Sequence, residues 1–426
     1  MMRRWLCIIL LVAFCLPLLA AEDEEEEVPK EQQPVEERET GDSIIEILGE
    51  IPGKIITFPL KITFKGVSKL SGMVDYHRAY QRVTDFLTSD DGRRKIRPVF
   101  SPPGGGGLLI GTNDLLSTGS KLRAAATLGV RTRRQLYLGY RAPNAFTTGL
   151  GFELTGGHFR LPDEDFFGIG NNTLNVDETN YLFRENLARF RVIGRLSQSS
   201  MVGFSMAYSD VVIGAGRDPN KPTLEEIFDP VFLPGADGAK MWTARFSLYH
   251  DSRDQVGQPA KGAQLWLSYE VSEQTDDDLL GYRKLTLDAE KYLNLFYRRI
   301  LVVRVRGEMT DSPDGKTIPF FRLGGLGGTD IMRGYRPVRF RDRDLFFTSL
   351  EYRFPIHSAI DVIAAWEEGR VFNDVLEEFD TKGFKYSYGA GMRIHSRTGL
   401  VTSFLFAKSE EQFRFVLGLN TELGSF

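Results

Sequence analysis

The chain is poor in the residues on which most catalysts and metalloproteins rely. Only two cysteines occur among its 426 residues, Cys7 and Cys15. Both precede residue 22, so disulfide frameworks and cysteine metal sites are excluded from the remainder. The five histidines, His77, His158, His250, His357 and His395, are scattered, with no HExxH pair and no Gly-x-Ser-x-Gly elbow. Gly104–Gly107 lacks the Gly-Lys-Ser/Thr of a phosphate loop and reads as a strand hinge. No enzymatic activity, no cofactor and no metal are expected. Basic excess is missing too: 53 Lys plus Arg against 57 Asp plus Glu gives 53 − 57 = −4. Nothing in that balance suggests a nucleic-acid partner. After residue 21 there is no apolar run long enough to span a bilayer as a helix.

What is present begins with an export signal. Arg3 and Arg4 precede an apolar stretch from Trp5 to Leu19, and Ala20-Ala21 offers small residues for cleavage. Residues 1–21 therefore read as a signal peptide. Phe14 before Cys15 is too bulky for a lipoprotein cleavage site. Residues 22–43 hold eleven acids and two bases, a local charge of −9, with Pro29 and Pro34. That composition predicts a disordered acidic linker. In residues 44–94, Met73, Tyr76, Tyr80, Val83 and Leu87 recur at helical spacing and predict an amphipathic helix near 72–88. This segment is expected at the periplasmic rim.

From about residue 95 the dominant signal is a period of two. Phe413, Phe415, Leu417 and Leu419 share one face of their segment, and Arg414, Gly418 and Asn420 the other. Phe346, Leu350, Tyr352 and Phe354 alternate likewise with Ser349, Glu351 and Arg353. Sixteen such segments can be placed, near 95–101, 107–114, 120–130, 133–141, 148–160, 182–194, 199–211 and 240–250, then 261–273, 281–292, 297–309, 344–355, 359–372, 383–395, 399–408 and 412–423. A soluble sandwich also alternates, but its turns come every 8–12 residues. Here the long connections, 161–181, 212–239 and 310–343, all follow odd-numbered strands, while even-to-odd connections are short. Long loops on one rim and short turns on the other describe a transmembrane barrel. In a bilayer only helices and closed barrels satisfy every backbone group. The expected fold class is all-β: a 16-stranded antiparallel transmembrane β-barrel over 95–426, in the bacterial outer membrane, with outer-membrane lipid around it.

The loop 310–343 contains Leu323-Gly324-Gly325 followed by Arg333-Gly334-Tyr335-Arg336. Three further stretches accompany it: Asp251-Ser252-Arg253-Asp254 before Pro259 and Gly262, Phe167-Gly168-Ile169-Gly170-Asn171, and Glu351-Tyr352-Arg353-Phe354-Pro355. As a set over roughly 95–426, these resemble the BamA/TamA-type outer-membrane assembly factor superfamily, the bacterial surface antigen barrels. The resemblance implies that the sixth extracellular loop folds back inside. It further implies that the tip, Arg333, Gly334 and Tyr335, meets a carboxylate of the inner wall.

A candidate partner follows from the alternation. Asp361, Ile363, Ala365 and Glu367 share one face, and Trp366 on the other should meet lipid, so Glu367 points inward. Glu368 would serve if the register slipped by one. Asp251, Arg253 and Asp254 are read as a strand-turn motif. The first and last strands would form the barrel seam, with Phe413, Phe415 and Leu417 on the closing side. Phe426 is out of phase with that set, which leaves either Leu423 as a terminal signal or a tail that bends.

Family members usually carry periplasmic POTRA modules, and residues 44–94 are too few for one. The resemblance is therefore to a branch without them. The functional expectation is a barrel that assists insertion or translocation of proteins, or lipid handling, with unfolded barrel clients or a POTRA-bearing partner. The alternative is a passive outer-membrane channel or structural surface protein.

Overall fold

The structure is a computed structural model and describes residues 93–101, 105–255, 257–296, 298–357, 360–380, 382–396 and 399–419. The signal peptide, the acidic linker, the helix near 72–88, Leu423 and Phe426 lie outside the described residues.

One antiparallel sheet of sixteen strands organises the chain, each strand beside its sequence neighbour. It runs through β1 (Arg94–Ser101), β2 (Gly105–Asn113), β3 (Lys121–Leu128), β4 (Arg134–Thr147), β5 (Leu150–Phe166), β6 (Thr179–Arg195), β7 (Ser200–Ala215) and β8 (Ala239–Asp251). It continues through β9 (Gly262–Gln274), β10 (Gly281–Phe296) and β11 (Arg299–Asp311). A two-stranded ribbon then intervenes, β12 (Gly324–Leu326) on β13 (Phe340–Asp342). The sheet resumes with β14 (Asp344–His357), β15 (Ile360–Phe372), β16 (Lys385–Ser396), β17 (Gly399–Ser409) and β18 (Phe413–Leu419).

All sixteen expected strands are present. The main departures are extensions of β4 to Thr147 and of β5 and β6 to 17 residues each. Irregular pairing explains why alternation alone cut these strands short. The β4–β5 register shifts between Ala142 and Thr147, and the β5–β6 register between Leu161 and Glu164. A bulge inverts the side-chain phase, so the period of two breaks where the strand does not.

The two faces of the sheet have opposite chemistry. Leu138, Leu154, Phe190, Phe204, Phe246, Leu350, Trp366, Phe406 and Phe415 are exposed on one side. Glu153, Thr155, Ser247, Ser268, Glu270, Thr286, Glu308, Glu367 and Ser387 are buried on the other. This is the reverse of a soluble domain and is the signature of a barrel in lipid around a polar lumen. Among the described residues no helix is long and apolar enough to cross a membrane; strands make the crossing.

Contacts across the lumen show that the sheet curls. Arg341 Nη2 donates to the Tyr181 hydroxyl on β6 at 3.4 Å, while Arg339 Nε donates to Glu411, just before β18, at 2.9 Å. Between β6 and β17 lie nine inter-strand steps, about 43 Å on a flat sheet at about 4.8 Å per step. Two arginines two residues apart cannot bridge that distance. The strands must wrap around the loop that carries them.

Candidate functional site

The long connection after β11 folds into this lumen. Its backbone reverses at Gly327 and Gly328, both at positive φ, 112° and 140°. A side chain at Gly327 would put its Cβ 2.1 Å from the Arg336 carbonyl oxygen, so only glycine permits the two arms of the loop to meet. Pairing of β12 with β13 closes the base. Leu326, Ile331, Met332, Tyr335 and Phe340 then pack as a buried cluster with Leu345, Phe347 and Val371 of the wall.

The tip is held by charge. Arg333 Nε donates to Glu367 Oε1 at 2.5 Å and its backbone N–H donates to Glu367 Oε2 at 2.6 Å. The Ser387 hydroxyl completes that carboxylate at 2.7 Å. Arg333 Nη1 reaches a second carboxylate, Glu351 Oε2, at 3.0 Å. Glu351 also accepts from Arg353 Nε at 2.9 Å, with Arg393 3.9 Å away. Burial alone would lower the Arg333 guanidinium, but the Glu367 and Glu351 carboxylates outweigh it and hold it above its ordinary value. A guanidinium fork fits this task because it offers donors in two directions from one rigid plane.

Gly334 and Tyr335 serve by shape. A Cβ on Gly334 would stand 2.7 Å from Ser387 Cβ and 3.0 Å from the Lys408 carbonyl, so the tip presses directly on β16 and β17. The Gly334 carbonyl accepts from the Ser409 hydroxyl at 2.9 Å. Tyr335 is fully buried, its ring edge-on to Phe340 with centroids 5.3 Å apart. From β18, Arg414 donates to the carbonyls of Gly328 at 3.0 Å and Arg333 at 3.2 Å, and also to that of Tyr335.

The structure thus brings Arg333, Gly334, Tyr335 and Glu367 together. Glu368 points the other way and accepts from the Trp366 indole at 2.9 Å. Asp251, Arg253 and Asp254 form a separate group at the short-turn rim. Arg253 grips Asp251 through Nε at 2.8 Å and Nη2 at 2.7 Å, and the Tyr249 hydroxyl adds a bond of 2.9 Å. Asp254 Oδ1 collects the backbone N–H groups of Gln255, at 2.9 Å, and Ala260, at 3.0 Å. These bonds brace the ten-residue connection 252–261, long for that rim. Phe413 and Phe415 on β18 are exposed to the lipid side, and Leu417 is half-buried on the same face.

Sequence reasoning missed three anchors of the loop. Arg339 is fully buried, sandwiched between the rings of Phe167 and Phe340 with 4.5 Å to each centroid. It also donates to the Thr173 hydroxyl and carbonyl, both at 2.9 Å. Arg304 on β11 chelates Asp288 at 2.9 and 2.8 Å and the loop's Asp330 at 3.1 Å. Arg322 meets Glu185 of β6 at 2.6 Å. One signal was available: Phe167, Gly170 and Glu351 belong to the motif stretches that accompany Arg-Gly-Tyr. Gly170 N–H donates to the Arg341 carbonyl at 2.7 Å, so these stretches are neighbours because the loop binds them.

The family model described as the Omp85 superfamily domain matches residues 114–420. No curated protein matches the chain. Among solved structures, BamA from Haemophilus ducreyi lacking POTRA domains 1–3 is similar with a TM-score of 0.54 at 14% identity, covering 76% of this chain and 67% of that one. CdiB from Acinetobacter baumannii gives a TM-score of 0.46 at 12% identity, covering 76% and 63%. CdiB from Escherichia coli gives 0.48 at 11%, covering 75% and 58%. The chain therefore spans less than two thirds of the CdiB chains. At such identities the likeness to BamA concerns the fold. The family match covers most of the chain, and this protein belongs to the Omp85 superfamily of outer-membrane β-barrels.

Proposed function

We propose that this barrel assists the insertion or translocation of proteins at the outer membrane, with unfolded barrel chains as clients and a POTRA-bearing protein as the partner that delivers them. The observation that carries the reading is the loop lodged in the lumen by Arg333 on two carboxylates. A passive channel is the competing reading. Against it stands the placement of residues 324–342, which occupy space that a solute path would need. The tip is bonded to Glu351 of β14, Glu367 of β15, Ser409 of β17 and Arg414 of β18, which braces that side of the wall.

The first strands supply the compliant side. β1, β2 and β3 have 8, 9 and 8 residues, against 17 for β5 and β6. Eight residues at about 3.3 Å each, tilted by about 40°, span only about 20 Å, less than the about 25 Å apolar band of such barrels. The bilayer beside β1 would thin to match. Among the described residues the ladders run from β1 to β18 with none joining those two strands. A seam with few bonds can open and offer its edge to a client strand.

A quantitative outer-membrane proteome of wild-type, deletion and Arg333→Ala strains tests this reading. Loss of several unrelated barrels in both mutant strains is expected. An unchanged proteome, with the variant protein present and folded, would sink the assembly role and leave the channel reading ahead.

A further inference from the structure

The outer wall carries an arrangement that loop docking does not use. Arg134 of β4 lies directly opposite Arg160 of β5, which in turn lies opposite Arg184 of β6. Three guanidinium side chains therefore stand in one cross-strand row. Alternation places them on the lipid side: Leu136 and Leu138 of β4, Leu154 of β5 and Phe190 of β6 share their phase and are exposed. Glu185, next to Arg184, points inward to Arg322. All three arginines sit toward the long-loop rim, which in such barrels is the extracellular one.

Like charges directly opposite one another across a sheet are destabilising. Both cross-strand neighbours of Arg160, Arg134 and Arg184, carry its own sign. Among the described residues no carboxylate answers the row. The nearby Asp163 is engaged by Arg131 at 3.0 Å and Arg133 at 2.5 Å, and Asp218 by Arg131 at 3.0 Å. Arg184 Nε is buried without a hydrogen-bond partner. The row is thus a concentration of like charge with no ion-pair partner among the described residues, at the height of the headgroup layer.

The surface below it is shaped for the rest of a lipid. Two residues down each strand the row reads Leu136, His158, Asn186 and Asp210, with His158 Nδ1 2.7 Å from Asn186 Oδ1 and Asn186 Nδ2 donating to Asp210 at 3.5 Å. The next row reads Leu138, Gly156, Ala188 and Tyr208 in register. A Cβ on Gly156 would meet nothing within 4 Å. Two small residues between Leu138 and Tyr208 leave a shallow trough in the apolar wall. Tyr208 pairs with Trp242, ring centroids 5.3 Å apart, the kind of aromatic pair that marks the membrane interface. The arginine row stands four residues further along the strand, about 13 Å. Strand tilt reduces that to headgroup height.

We propose that Arg134, Arg160 and Arg184 form a docking site on the barrel's outer wall for the phosphorylated headgroup of an outer-leaflet lipid, with an acyl chain over Gly156 and Ala188. Phosphate is the fitting anion, because paired guanidinium forks bind it bidentately. A lipid, rather than a free anion, is indicated by the trough beneath.

Native mass spectrometry of the purified full chain, released from micelles with diphosphorylated lipid A, tests the site. Wild type should retain the lipid as a discrete adduct. Arg160→Gln/Arg184→Gln should weaken retention more than about tenfold, the scale of losing two charge-assisted bonds. Arg160→Lys/Arg184→Lys, which keeps charge but loses the fork, should fall between. Heat-modifiable migration of each variant establishes that its barrel is folded. Equal retention by wild type and the folded Gln variant would overturn the proposal. So would equal retention of dephosphorylated lipid A, or displacement of the lipid by inorganic phosphate at comparable concentration, since the latter marks a site for the free anion alone.

Discussion

Truncating Arg333 to alanine is the sharpest test of how the lumen is held. The substitution removes the 2.5 Å bond to Glu367 and the 3.0 Å bond to Glu351. Breaking a buried pair by deleting one partner costs about 3–5 kcal/mol when the other charge is left bare. Here the abandoned carboxylates keep partners. Glu367 retains the Ser387 hydroxyl at 2.7 Å and the residue-333 N–H at 2.6 Å. Glu351 retains Arg353 at 2.9 Å. The lower end, about 3 kcal/mol, is therefore expected, a factor of about 150 in the docked-to-undocked ratio.

Hydrogen exchange reads this directly. The Tyr335 N–H donates to the Met332 carbonyl at 2.9 Å and the Val338 N–H to that of Gly327 at 3.1 Å, bonds that exist only while the loop is folded. In Arg333→Ala these amides should exchange about 100-fold faster, following the shifted opening equilibrium, while β5 and β6 keep their protection. If the amides stay within about threefold of wild type, the reasoning is wrong. Arg339, Arg304 and the buried cluster would then hold the loop by themselves. A double-mutant cycle with Glu367→Gln should show strong coupling, since the second change removes a charge that the first has already stranded.

Other perturbations separate shape from charge. Gly334→Ala should cost about 1–3 kcal/mol by overpacking against Ser387 and Lys408, seen as faster proteolysis within 324–342; unchanged resistance would mean that the contact gives way freely. Trp366→Arg places a cation on the lipid wall beside Tyr386 and Tyr388. It should lower the unfolding free energy in vesicles by about 2–4 kcal/mol if that row lies near mid-bilayer, and by less than about 1 if it lies at the interface. Burial alone would raise Glu178, but Lys221 and Arg336 hold it below the ordinary glutamate value. A depressed folded pKa contributes stability that is complete above the unfolded value, about 4.3, and is lost as pH falls through the folded one. Acidification below that range should loosen the Arg336 end of the loop in wild type and produce no such step in Glu178→Gln; an identical acid step in the variant refutes the assignment.

The strands were legible because their cause is local. A wall between lipid and a polar lumen demands opposite chemistry at successive residues, and that demand is written as a period of two along each segment. The rims were legible for a similar reason, since loop lengths alternate with strand direction. Glu367 could be named from Trp366, because adjacent residues of a strand face opposite sides. Where a bulge shifts the phase, near Ala142 or Leu161, the same rule stops short and the strands run further than alternation indicates.

What the sequence by itself determined was therefore the number of strands, which face meets lipid, which rim carries the long loops, and that Glu367 points inward; the family resemblance supplied Arg333 as its candidate partner. Only the tertiary structure decided how the loop is seated. Arg339 finds Thr173 across 166 residues of sequence and Glu411 across 72. Arg322 finds Glu185 across 137. No periodicity along a strand encodes those meetings. They exist because a sheet curled around a lumen brings distant strands within one arginine's length of the same loop, and curvature is a property of sixteen strands together.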